Sequence, residues 1–454
     1  MRRLPALFGF LICFLIVLPK GYAVVGDENI GSEKMDEIRR EHEKIMEEEN
    51  EKKEEEKRAN MIRTLEEKRQ KAAGGTEEEK ALSEELSKLR SEVLLRKKRF
   101  RDRIRITPSE RVVFDSNVRN QKNAKSDIIF NSGAGLELDL GTPRTRINVD
   151  YLGAHADYLH NSKLSRFEHQ LGTDINYPIS SKTEVEGTYK LSATGNQTSE
   201  IRSIANRLRQ DAGIIFKERL SKKTGLRLSQ TYSDTFFYRR ANRDNSRRQF
   251  VFSPEFDYFV SPKTSFFTRY ALGFASGGAG GSNRAIANEF RGGVRGKIAP
   301  KTTALLDLGY SNQQQRTLGG HTNAFVAEVV VISNLTRKSR VEFLINRSLS
   351  QATETKGSNF FVTENYRLTG STQFRRYLSG EIFSGLRRNV FDQHGKTAGS
   401  NQRDLTLELG ATLRYDFRKW LGFELKYIFT GVNATDSNRE YAKHIASFAV
   451  NGRY

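Results

Sequence analysis

Cysteine is almost missing from this chain: among 454 residues there is one, Cys13. It falls inside an apolar N-terminal run, so the remainder has no disulfide framework and no thiol chemistry. Proline is scarce as well, at 8 residues, which excludes proline-rich spacers and suits long uninterrupted backbone ladders. Past Val24 no apolar run approaches the length of a membrane-spanning helix, so a bilayer could be crossed only by a closed barrel. Apolar residues make up 37% of the chain and mean hydropathy is −0.62, values that suggest a polar, soluble protein. Acidic charge is outnumbered, with 55 Asp and Glu against 75 Lys and Arg and a net charge of +20.

Such a basic excess ordinarily points to nucleic acid. The N-terminus points elsewhere. MRRLPALFGFLICFLIVLPKGYA has Arg2 and Arg3, an apolar run from Leu4 to Leu18, and a small-residue end at Gly21-Tyr22-Ala23. This is the layout of a secretory signal peptide over residues 1–23, and it removes nucleic acid as the expected partner. Residues 24–102 are then charged and helix-forming, as in EKMDEIRREHEKIMEEENEKKEEEKR, with Gly74-Gly75 as the one break. Thr76 and Glu79 have capping-box spacing, and Leu82, Leu86, Leu89 and Val93 form one apolar stripe. Two readings stand for this expected periplasmic segment: an amphipathic spacer, or a helix that self-associates or binds a partner through residues 76–99. Two heptads do not decide between them.

From about Arg103 the period changes from helical to two. In DLTLELGATLRYDF, Leu405, Leu407, Leu409, Ala411, Leu413, Tyr415 and Phe417 alternate with polar or small residues. AGLELDL and LGFELKY do the same, so each strand has one greasy and one wet surface. Short turns recur at Thr142, Ser181, Lys222, Pro262, Pro300, Arg337, Arg376 and Arg418, at steps of 39, 41, 40, 38, 37, 39 and 42. A unit of that length is two strands and one longer loop. Eight such turns join sixteen strands; RVVFDSNVR (near 111–119) adds one before them and HIASFAVNGRY one after. The expected fold is therefore an antiparallel transmembrane β-barrel of about 18 strands (16–18) over residues 103–454, all-β, preceded by the charged helical segment. An even strand count, short turns on one side and long loops on the other are features of bacterial outer-membrane barrels, which sets the expected location. A soluble β-sandwich also alternates, but it leaves edge strands to protect. The final strand is similar to the C-terminal signal read by the barrel-insertion machinery, with Phe448, Val450 and Tyr454 at alternate positions.

The stretch ITPSERVVFDSNVRNQKNAKSDIIFNSGAGLELDL resembles the head of the putative β-barrel porin family found with exopolysaccharide systems. Phe114, Asp115, Asn117, Ser126, Asp127 and Ile128 carry the resemblance. It implies a porin-like barrel and, as cargo, exopolysaccharide.

Charge apportions unevenly. Residues 24–100 hold 19 basic and 22 acidic residues, while the barrel holds 53 and 33, so the whole surplus belongs to the barrel. Strand parity puts Arg227, Arg291, Arg295, Lys297, Arg367, Arg414 and Lys426 on the wet face, with Glu408 and Glu424 among their acidic neighbours. These are the candidate pore-lining residues. Rings of Arg and Lys in a pore favour anions. The bland alternative is that they pair with Glu137, Asp139, Asp150, Glu289, Glu408 and Glu424. The loop FFYRRANRDNSRR is a solvated surface, a site for lipopolysaccharide phosphates, or a segment folded inward as a constriction. His155, His160 and His169 flank one loop without metal-ligand spacing or a nucleophile motif, so no catalytic, cofactor or metal residue is assigned and no cofactor is expected. Three functions remain: a channel for polar or anionic solutes or for exopolysaccharide, a plugged structural or adhesive barrel, and, least favoured, a barrel hydrolase.

Overall fold

The computed structural model describes residues 103–141, 145–195, 206–238, 246–277, 283–315, 320–351, 360–392 and 403–453. The signal peptide, the charged helical segment and Tyr454 lie outside these residues. Eighteen strands follow one another: β1 (Ile104–Asp115), β2 (Asp127–Asp139), β3 (Arg146–Tyr158), β4 (Arg166–Pro178), β5 (Thr183–Thr194), β6 (Arg207–Glu218), β7 (Thr224–Phe237), β8 (Arg247–Ser261) and β9 (Thr264–Gly277). The second half comprises β10 (Asn283–Ala299), β11 (Thr302–Gln315), β12 (His321–Asn334), β13 (Ser339–Gln351), β14 (Phe360–Arg375), β15 (Leu378–Asp392), β16 (Arg403–Arg418), β17 (Leu421–Ala434) and β18 (Tyr441–Gly452). Each pairs antiparallel with its neighbours, and β1 pairs with both β2 and β18, so the sheet closes without an edge. Closure removes the unpaired ladder groups that a bilayer would penalise.

The alternation read from sequence becomes the two faces of the wall. Leu405, Leu407, Leu409 and Leu413 are all about two-fifths exposed on one face of β16, while Asp404 and Thr412 on the other are buried. The same split continues round the barrel, with Phe290, Phe325, Ile382 and Leu425 standing outward. Exposed aliphatic and aromatic side chains on a closed sheet are those that face lipid.

Turn chemistry explains the short connections. Ser221 Oγ accepts the backbone N–H groups of Lys223 and Thr224, each at 3.1 Å. Ser180 does the same for Lys182 and Thr183, and Thr336 for Lys338 and Ser339. Sequences of the form Ser/Thr-x-Lys-Ser/Thr thus tie the chain back on itself within four residues. Next to one such turn, Gly296 has φ of +130° and its missing Cβ would stand 2.0 Å from the Lys263 carbonyl oxygen, so only glycine fits there.

At the other end, the head of the barrel differs from the sequence expectation. The first strand starts earlier, at Ile104, and stops at Asp115 instead of running on to residue 119. The Asp115 carboxylate accepts the Asn117 N–H at 2.9 Å, and the Asn117 amide donates to the Gln121 carbonyl at 2.7 Å. These bonds close a turn where the alternation alone reads as strand.

Candidate functional site: the charged inner face

Cross-strand register places Arg227, Arg291, Arg295, Lys297, Arg367, Glu408, Arg414, Glu424 and Lys426 on the face opposite the exposed apolar one. They do not share one environment. On β7–β11 much of the inner face is buried. Glu255 (3% exposed) receives Arg295 at 2.7 Å, Arg227 at 3.6 Å and Arg269 at 3.7 Å. Arg295 also reaches Asp257 at 2.6 Å and stacks over the Phe267 ring. Arg269 bridges on to Asp307 at 2.5 Å, and Arg291 joins Glu289 to Asp307. Four arginines meet four carboxylates, so this buried cluster is neutral in itself despite its density of charge, with Arg247 and Lys297 standing inward beyond it. The arrangement follows from desolvation: an uncompensated charge at this depth would cost several kcal/mol.

The arc from β14 through β18 to β1 is different. Glu424 lies between Arg414 (2.9 Å) and Arg111 (3.3 Å), and the side chains of these arginines are 56% and 42% exposed. Register carries the row from β16 through β17 and β18 to β1, by way of Ala449. Lys426 stands one inward position along, between Thr412 and Ser447. Arg367 lies 4.1 Å over the Phe383 ring. Glu408 sits opposite Gly385, which leaves space beside it. Between these arcs β2–β5 turn acidic, with Glu137 directly across from Asp150 and with Glu186 held by Lys217 at 2.8 Å.

Of the carboxylates expected to neutralise the wet-face cations, Glu289 pairs with Arg291, Glu424 pairs with Arg414 and Arg111, and Asp150 feels the charge of Lys190. Parity alone missed Glu255, Asp257, Arg269 and Asp307, which hold the buried network together. They were legible as inward positions, but the partner choices are not: Arg269 and Asp307 meet across β10 through the stagger of the barrel. Parity also hid a departure. Arg347, Glu364 and Arg388 face outward in register on β13, β14 and β15, with Glu364 bonded to both arginines.

His155, His160 and His169 do not converge on a solute-facing site. His155 packs on Phe167 and His169 is hydrogen-bonded to the Tyr151 hydroxyl at 2.9 Å, both on the outward face. His444 repeats this with Tyr427 at 2.8 Å. His160 belongs to a latch. Buried Asp127 accepts the N–H groups of His160 and Asn161, each at 2.9 Å, and the Asn161 side-chain amide at 2.7 Å. Asp115, Asn117 and Asp127, singled out by resemblance, are thus the buried polar fastenings of the first two long loops. Phe448 and Val450 face outward, with Phe448 stacked on Phe423 at 6.1 Å. Of the loop arginines, Arg239, Arg240 and Arg243 lie outside the described residues, and outward Arg248 pairs with Asp234 at 3.3 Å.

A closed 18-strand antiparallel barrel with an apolar outer face and a charged inner one defines a porin-like protein of the bacterial outer membrane. The chain belongs to the family described as Putative beta-barrel porin 2, whose model matches residues 108–454. Among solved structures, the chain is similar to OpdK from Pseudomonas aeruginosa, at 9% identity over 77% of this chain and 98% of that one, with a TM-score of 0.42. It is also similar to OccAB3 from Acinetobacter baumannii (10% identity, 77% and 98% coverage, TM-score 0.43). The siderophore receptor PirA from Pseudomonas aeruginosa matches at 11% identity over 79% and 81% of the two chains, with a TM-score of 0.41. No curated protein sequence matches the chain.

Proposed function

We propose that the barrel is a non-enzymatic channel for polar solutes, and that anionic groups on those solutes are met along the β14–β18–β1 arc. One observation supports this above the rest: Arg111 and Arg414 stand half-open to the interior with a single carboxylate, Glu424, between them. Eighteen strands enclose enough room for an aqueous lumen, and exposed cations lining it would raise the local anion concentration. Exopolysaccharide is the cargo class that the family resemblance adds. Histidines set among outward aromatic rings are poorly placed to hydrolyse a solute in the interior, which supports a transport role over catalysis. The test is a planar bilayer under a salt gradient. Discrete conductance steps with a reversal potential on the anion-selective side are expected, moving toward the cation side in Arg414→Glu; absence of any conductance would overturn the channel.

A second reading, a lumen filled along one wall, has its own support. Inward Val326, Val330 and Ile332 on β12 are 0% exposed beside inward Leu305 and Leu344, and a dry apolar patch on an inner face favours a lumen filled there. In that case the same bilayer would stay silent until the filling is displaced.

A further inference from the structure

Ten of the barrel's surplus of twenty positive charges stand in its short turns. Among the described residues of the eight short turns there are ten Lys and Arg and no Asp or Glu. The placement is regular: Lys182, Lys223, Lys263, Lys301 and Lys338 each immediately precede the second strand of five consecutive hairpins, and all five are exposed. Hydroxyl-capped turns hold their backbones in one conformation. Beside the cations the rim carries large apolar side chains that no packing requirement explains. Ile179, Leu220, Leu335 and Trp420 are 49%, 53%, 58% and 50% exposed, each within the same short turn as a Lys or Arg.

We propose that this rim is a collar for anionic phospholipid headgroups, with the β4–β5, β6–β7, β12–β13 and β16–β17 turns inserting an apolar anchor beside a cation that meets a lipid phosphate. A soluble polyanion would be served by the cations alone. Paired apolar and basic groups at one level suit only a surface where acyl chains and phosphates lie side by side. Short turns of outer-membrane barrels face the periplasm, so the leaflet concerned is the inner, phospholipid one. A Lys or Arg near an anionic bilayer is worth about 1 kcal/mol, or about fivefold in partition, before screening.

Trp420 is the only tryptophan in the chain and lies in the turn holding Lys419, with Arg453 hydrogen-bonded to its carbonyl. It therefore reports on the collar directly. The full chain, reconstituted in mixed vesicles of phosphatidylcholine and phosphatidylglycerol, is compared with either lipid brominated on its acyl chains. Brominated phosphatidylglycerol should quench Trp420 with an apparent association about threefold or more above that of brominated phosphatidylcholine. The preference should fall to parity in molar salt and in Arg418→Gln/Lys419→Gln. Equal quenching by the two lipids in the native chain would overturn the collar and leave only unselective interfacial anchoring. Collapse of the preference on adding soluble glycerol phosphate would overturn it too, because the site would then be one for a free anion. If the double variant does not fold, Trp420→Phe/Leu220→Trp moves the reporter to the β6–β7 turn, where the same salt-sensitive preference is expected and its absence refutes the collar.

Discussion

The β7–β11 wall and the arc from β14 to β1 are built from the same residue types on the same face of one sheet, yet they treat charge in opposite ways. In the first, Arg227, Arg269, Arg291 and Arg295 are sealed among Glu255, Asp257, Glu289 and Asp307, and the sum is zero. In the second, two half-exposed arginines share one carboxylate. Where water is excluded, charge survives only by being matched, and its role is to hold strands together. Where water remains, a mismatch costs little and is left available to solutes.

Breaking the buried match should have the largest effect. Glu255→Ala removes the shared partner of three arginines and leaves them in a dry wall. A loss of about 3–5 kcal/mol is expected, read as a lower urea midpoint for the reconstituted barrel. A double change that deletes charge of both signs, Glu255→Gln with Arg295→Met, should recover part of that loss. If the single variant is as stable as the native chain, the wall is wetter than its burial implies.

Next in size is Asp127→Ala, which lies outside both arcs and tests whether the loop latch acts like the buried wall. Asp127 is 2% exposed and accepts from two backbone amides and one side-chain amide of the β3–β4 connection. Those donors would be orphaned, at about 1–3 kcal/mol. The effect should be local: faster amide hydrogen exchange at His160 and Asn161, with the β7–β11 wall unchanged.

How much of this was written in the chain depends on the distance over which residues act. Strand number, the eight short turns and the lipid-facing set follow from a period of two and from turn residues, which are local signals. Leu405 to Phe417 announce their face without help from any other strand. The Asp115–Asn117 turn was hidden because its side-chain bonds interrupt a pattern that still alternates. The match of Arg269 to Asp307 was hidden for a different reason: it depends on stagger across an intervening strand, which no single-strand pattern encodes. The outward trio of Arg347, Glu364 and Arg388 contradicts the greasy-face rule outright, and it is tolerated because the three charges lie in register and satisfy one another.

The smallest effect on stability should come from the open arc, where it sharpens the comparison most. Arg414→Gln removes a side chain that is 56% exposed and leaves Glu424 still held by Arg111 at 3.3 Å. Exposed pairs of this kind are worth about 0–1 kcal/mol, so the urea midpoint should scarcely move. The row of Arg111, Glu424 and Arg414 changes from a net single positive charge to none, however, and that is a large fraction of the local potential at low ionic strength. Selectivity measured from reversal potentials should fall in dilute salt and converge with the native value in concentrated salt. A variant that loses stability without changing selectivity would place Arg414 with the buried wall, and the distinction between the two arcs would fail.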